Sequence, residues 1–124
     1  LYRALSPPEG VFTLLRIGID PGAGGCGYAA FGDSLLISVG RAPCDSIGYT
    51  VRGLVDRAPA RDRVILVGDG PGLAVASLSL ELESLEYRVV PEAGTSGGRP
   101  PYLPGIVKDR DVIAAVRIAL RPSY

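Results

Sequence analysis

From Val11 onward, apolar and polar positions alternate with a period of two. Thr13, Leu15, Ile17 and Ile19 fall on one face of an extended segment, and Leu14, Arg16, Gly18 and Asp20 on the other. This predicts a strand that stops at Asp20, where the glycine-rich run Pro21-Gly22-Ala23-Gly24-Gly25 begins. Residues 26–31 and 35–41 read as two more strands, and Gly32-Asp33 between them suits a tight hairpin turn. Three successive strands with short links predict an antiparallel meander.

The period then changes. Asp45 or Ser46 can cap a helix, and Ile47, Val51, Leu54, Val55 and Ala58 follow at helical spacing until Pro59. Val64-Ile65-Leu66-Val67 is a short apolar run stopped by Gly68-Asp69-Gly70, as in a buried parallel strand. Residues 72–86 carry two patterns. Ser77 to Leu82 alternates like a strand, while Ala74, Leu78, Leu82 and Leu85 form a helical stripe. Richness in Leu, Ala and Glu, without a β-branched residue between Ala76 and Tyr87, selects the helix. Arg88-Val89-Val90 is the fifth strand, residues 93–108 a Gly- and Pro-rich loop, and Asp109 to Leu120 the last helix, with Val112, Val116 and Ala119 or Leu120 inward. Residues 1–10 read as an N-terminal arm and 11–124 as one domain. The expected fold class is α/β, with element order βββαβαβα, a mixed five-stranded sheet and helices on both faces.

In such sheets ligands bind beyond the carboxyl ends of the strands. Asp20, Asp69 and Glu92 stand at three such ends, and Asp111 opens a helix whose small residues Ala114 and Ala115 allow close packing. Carboxylates converging from separate elements suit Mg²⁺ or Mn²⁺, which prefer oxygen ligands. A pair of such ions about 4 Å apart can drive phosphodiester hydrolysis. Each acid also has a plainer role. Asp20 precedes a Pro-Gly turn, Asp69 lies in a Gly-Asp-Gly turn, Glu92 can be a solvated strand end, and Asp111 favours a first helical turn. Arg99, Lys108 and Arg110 lie in or beside the long loop and can meet a nucleic-acid backbone.

Composition narrows the chemistry. The 124-residue chain is 47% hydrophobic, with 13 basic and 13 acidic residues. That is enough for one core and gives no strongly basic surface overall. It contains no His, which removes His-based triads and His-ligated zinc. Cys26 and Cys44 form no metal motif and are expected to be two buried thiols; a disulfide, as found in hyperthermophiles, is the alternative. No apolar stretch approaches the roughly 18 residues of a membrane span, and no secretory pattern is present. The expectation is a cytoplasmic protein with no membrane partner.

Leu15-Arg16-Ile17-Gly18-Ile19-Asp20-Pro21-Gly22, followed by Gly27-Tyr28, resembles the first strand of RuvC-type Holliday-junction resolvases and YqgF-type ribosomal-RNA nucleases. Asp111-Val112-Ile113-Ala114-Ala115-Val116 looks like the last helix of the YqgF group, and Glu92-Ala93-Gly94-Thr95-Ser96 is similar to its acidic segment. The resemblance implies a ribonuclease H-like fold and a nuclease using Mg²⁺ or Mn²⁺ on branched DNA or a ribosomal RNA precursor. It implies Asp20, Asp69, Glu92 and Asp111 as metal-holding catalytic residues. A homodimer is a further implication, because a junction presents two scissile strands. The chain departs from the resolvases in having Asp69 where they have Glu, and Ala114 where they have a second Asp. An inactive nucleic-acid binding or assembly module on the same fold is the alternative.

Overall fold

The computed structural model describes residues 10–91 and 110–121. The expected arm, apart from Gly10, and the expected loop 93–108 lie outside these described residues. The chain runs β1 (Phe12–Gly22), β2 (Gly25–Gly32), β3 (Leu35–Ala42), a 3₁₀ turn (Cys44–Ser46), α1 (Ile47–Arg57), β4 (Ala60–Gly68), α2 (Leu73–Leu82), β5 (Arg88–Val90) and α3 (Arg110–Ala119). The strands form one sheet in the order β3-β2-β1-β4-β5. The β1–β2 and β2–β3 pairs are antiparallel, as the short links require. The β1–β4 and β4–β5 pairs are parallel, each reached through a helix. The fold is therefore α/β with a mixed five-stranded sheet. No helix among the described residues is long and apolar enough to cross a membrane.

Three boundaries differ from expectation. β1 does not stop at Asp20 but continues to Gly22, with Asp20 opposite Gly27, Pro21 opposite Cys26 and Gly22 opposite Gly25. Pro21 is tolerated because β1 pairs with β4 only as far as Ile19 and Val67. Its missing N–H falls where β1 has no ladder on the β4 side. β4 begins at Ala60 rather than Val64, since its polar start pairs with the start of β1 through Phe12 and Ala60. α2 ends at Leu82 rather than near residue 86. Ser84 turns left-handed (φ 57°), the Ser84 N–H donates to Glu81 O, and the Leu85 N–H donates to Leu80 O. This is a Schellman ending with Ser in the place usually held by Gly, sealed by the buried Leu80 and Leu85.

Helices cover both faces of the sheet. On one face Leu15, Ile17, Ile19, Ile65 and Val67 pack with Ile47, Val51 and Leu54 of α1 and Ala76 and Leu80 of α2. On the other face Ala29, Phe31 and Leu36 pack with Ala115, Val116 and Ala119 of α3. The predicted inward set of α3 holds for Val112, Val116 and Ala119, and Leu120 is exposed. The stripe read along α2 is not the buried one. Leu78 and Leu82 face outward with Val75, while Ala76, Ser79 and Leu80 are buried. α1 crosses α2 so closely that a Cβ on Gly48 would lie 2.6 Å from the Ser79 carbonyl carbon. The Gly48 N–H donates to Ser79 Oγ at 2.8 Å. That crossing needs the small residue inward, and the leucines turn away. Cys26 and Cys44 are not two thiols: they are joined in a disulfide. The β2–β3 hairpin and the 3₁₀ turn bring their Cα atoms to 5.2 Å, within bonding range.

Candidate functional site

Alternation along β1 puts Arg16, Gly18 and Asp20 on one side, and α3 lies against that side. Arg16 Nε donates to the Ala119 carbonyl at 2.6 Å, and its Nη2 donates to the Arg121 carbonyl. Two residues along, a Cβ on Gly18 would lie 2.8 Å from Ala119 Cα and nearer still to Ala115 O. Only glycine permits this approach of helix to strand. The end of α3 thus sits at Arg16 and its middle at Gly18, so the helix runs opposite to β1. Two further strand residues advance about 6.7 Å, and one four-residue helical step about 6 Å. Continuing both steps brings the first turn of α3 level with Asp20. Position 111 lies on the stripe 111, 115, 119, one helical turn ahead of Ala115. α3 thus lies on the sheet face that carries Arg16, Gly18 and Asp20.

Asp20 is 9% exposed and has an interaction partner within the fold. A carboxylate beside a helix N-terminus is favoured by the macrodipole, by about 0.3–1 kcal/mol and up to about 2 kcal/mol when partly buried.

The other predicted residues stand differently. Asp69 is exposed, just past β4, with its N–H donating to Val90 O at 3.0 Å. Extending the β1–β4 register by one residue makes Gly68 level with Asp20, so Asp69 lies beyond the level of Asp20 and off the strand. Glu92, Arg99 and Lys108 are outside the described residues. Arg110 contributes its backbone to the first turn of α3. Among the described residues no group of three or more His, Cys, Asp or Glu side chains could hold a metal ion. Asp20 is the buried carboxylate among the described residues. The groove lined by Leu14, Asp62, Arg63, Val64 and Leu85 to Arg88 lies toward the opposite end of β4 and is separate.

Two contributors were not anticipated as site residues. Arg16 holds the far end of α3 and so fixes where its first turn falls. Burial lowers the pKa of its guanidinium, which remains charged at neutral pH. Gly18 sets the depth of the helix. Its signal was present as an isolated glycine inside a strand, which marks a close backbone approach.

No family model and no curated protein matches this chain. Among solved structures, the PPX-GPPA enzyme of Aquifex aeolicus is similar to 68% of this chain at 11% identity and a TM-score of 0.40. The chain spans 38% of that enzyme's length. A likeness this loose carries no argument about function.

Proposed function

We propose that this chain is a divalent-metal-dependent nuclease of the ribonuclease H-like class, acting on structured nucleic acid such as branched DNA or a ribosomal RNA precursor. The observation that supports the reading is the close laying of α3 on the Asp20 face of β1, through Gly18 against Ala115 and Ala119. The sheet order β3-β2-β1-β4-β5 supports it, as does the antiparallel meander followed by two parallel strands. Asp20 and Asp111 would hold Mg²⁺ or Mn²⁺, with Asp69 and Glu92 assisting from neighbouring strand ends. Such an ion, when bound, activates water and stabilises the leaving oxygen. The protein's own work is to fix the carboxylates: Gly18 sets the helix depth and Arg16 its position along β1. Arg99, Lys108 and Arg110 would contact phosphates, and a homodimer would suit a junction substrate.

A second reading, an inactive binding or assembly module, is favoured by Ala114, which occupies the place of the resolvases' second helix acid. Asp20→Asn separates the two. For the nuclease, Mn²⁺ should raise the melting temperature of the wild type but not of Asp20→Asn, since ligand binding stabilises only the folded state. A panel of four-way junctions, flaps and ribosomal-RNA precursors should be cut only with Mg²⁺ or Mn²⁺, and Asp20→Asn should bind without cutting. Binding without cutting by the wild type selects the module. A large loss of stability in metal-free Asp20→Asn assigns Asp20 to holding α3 alone.

A further inference from the structure

The end of β1 beyond Asp20 is weakly supported by its neighbours. β1 and β4 part after Ile19 and Val67, so Pro21 and Gly22 are held in the sheet by β2. A Cβ on Gly24, at the apex of the β1–β2 hairpin, would meet nothing within 4 Å. Gly22, Gly24, Gly25 and Gly27 give this tip the largest backbone freedom to lose on ordering. Two further ties bind it. The Gly72 N–H, at the start of α2, donates to Pro21 O at 2.8 Å. The disulfide joins Cys26, opposite Pro21, to Cys44 in the 3₁₀ turn. All three parts meet at one point: a Cβ on Gly72 would lie 2.6 Å from Gly22 O and 2.9 Å from Cys44 Sγ.

We propose that the Cys26–Cys44 disulfide is a redox-operated clamp that locks the β1–β2 tip, and with it the strand end carrying Asp20, against the start of α2. The two sulfurs differ in access. Cys26 is fully buried, whereas Cys44 is a partly exposed residue, so the proposal assigns the attack to the Cys44 sulfur. A dithiol reductant completes the step. One of its thiolates attacks the Cys44 sulfur, and Cys26 departs as a thiolate and takes up a proton. The second reductant thiol then displaces Cys44 from the mixed disulfide. Two protein thiols and one oxidised, cyclic reductant result, and the two electrons and two protons come from the dithiol. Cys26 itself belongs to the α1/α2 core and Cys44 packs against it, so the opening is confined to the tip by the β1–β4 and β2–β3 ladders, which pair without the cysteine bond. The proposal does not depend on the nuclease reading.

The test is hydrogen exchange on the full chain with and without dithiothreitol, together with Cys44→Ser. Intact mass after alkylation should first show no free thiol in the native oxidised protein. Reduction should then speed exchange of amides in residues 22–27 by about tenfold or more, as expected of a local opening, and leave Ile65 to Val67 protected. Cys44→Ser should show the same fast tip without reductant and no further response to it. Two alkylatable thiols in the native protein, a bond that native-state dithiol does not reduce, an unchanged tip, or loss of protection throughout the sheet would each overturn the clamp. If Cys44→Ser does not fold, the reductant titration of the wild type still decides the matter.

Discussion

The two faces of the sheet are held by opposite means. The α1/α2 face is filled by large aliphatic side chains, with Leu15, Ile17, Ile19, Ile47, Ile65 and Leu80 all at or near zero exposure. The α3 face mixes large side chains, Phe31, Leu36 and Val116, with positions that have almost none. Gly18, Ala29, Ala115 and Ala119 let helix and strand backbones touch, and Arg16 ties the last turn of α3 by its carbonyls. Volume secures the first face, and close approach at Gly18 adds to volume on the second. Charged groups accordingly appear on the α3 side of β1: Arg16, bound to the end of α3, and Asp20 on the same strand face. A buried carboxylate such as Asp20 needs a polar partner, which it has within the fold, and a face filled with isoleucine offers none.

Substitutions on each face sharpen this contrast. The largest effect belongs to Ile17→Ala, which opens a cavity in the filled face. It should cost about 2–5 kcal/mol in urea unfolding and lower protection throughout the sheet. Gly18→Ala, one strand position away, adds volume instead. It should cost about 1–3 kcal/mol by overpacking, with faster hydrogen exchange concentrated in α3 while Ile65 to Val67 stay protected. A neutral Gly18→Ala with α3 still protected would break the comparison. Arg16→Met keeps the aliphatic stem but removes the donors and the charge at the end of α3. About 1 kcal/mol should be lost, part of it disappearing at high salt, because Arg16 is partly solvated. Melts of wild type and variant at low and high salt measure that difference directly.

Much of this arrangement is legible in the residues. The period-two run through β1 separates Leu15, Ile17 and Ile19 from Arg16, Gly18 and Asp20, and the structure keeps that division. The change to helical period locates α1. What could not be read depended on contacts between distant segments. α2 is apolar nearly all round, so its periodicity offers no single inward face, and the choice fell to the Gly48–Ser79 crossing. The extension of β1 past Asp20 comes from its pairing with β2, which outweighs the turn preference of Pro21-Gly22. The cysteine pairing depends on where the β2–β3 hairpin returns the chain, which spacing along the sequence does not encode. For the candidate site, the acidic end of β1 and the acid at the start of α3 were visible as residue types. The face on which α3 packs was not, because it is set by the close approach of α3 at Gly18.

The brevity of β5 has a consequence for how this chain behaves in company. Its ladder with β4 involves only Leu66, Val67 and Gly68. Among the described residues, the remainder of that β4 edge has no strand beside it. A bare edge is a template on which another chain can add a strand, the first step of aggregation. Arg61, Asp62 and Arg63 stand in succession along this stretch, all exposed. A strand docking there would have to bring its own side chains against this alternating row of charge. Resistance to self-association on that side of the molecule thus rests on three residues that take no part in either core.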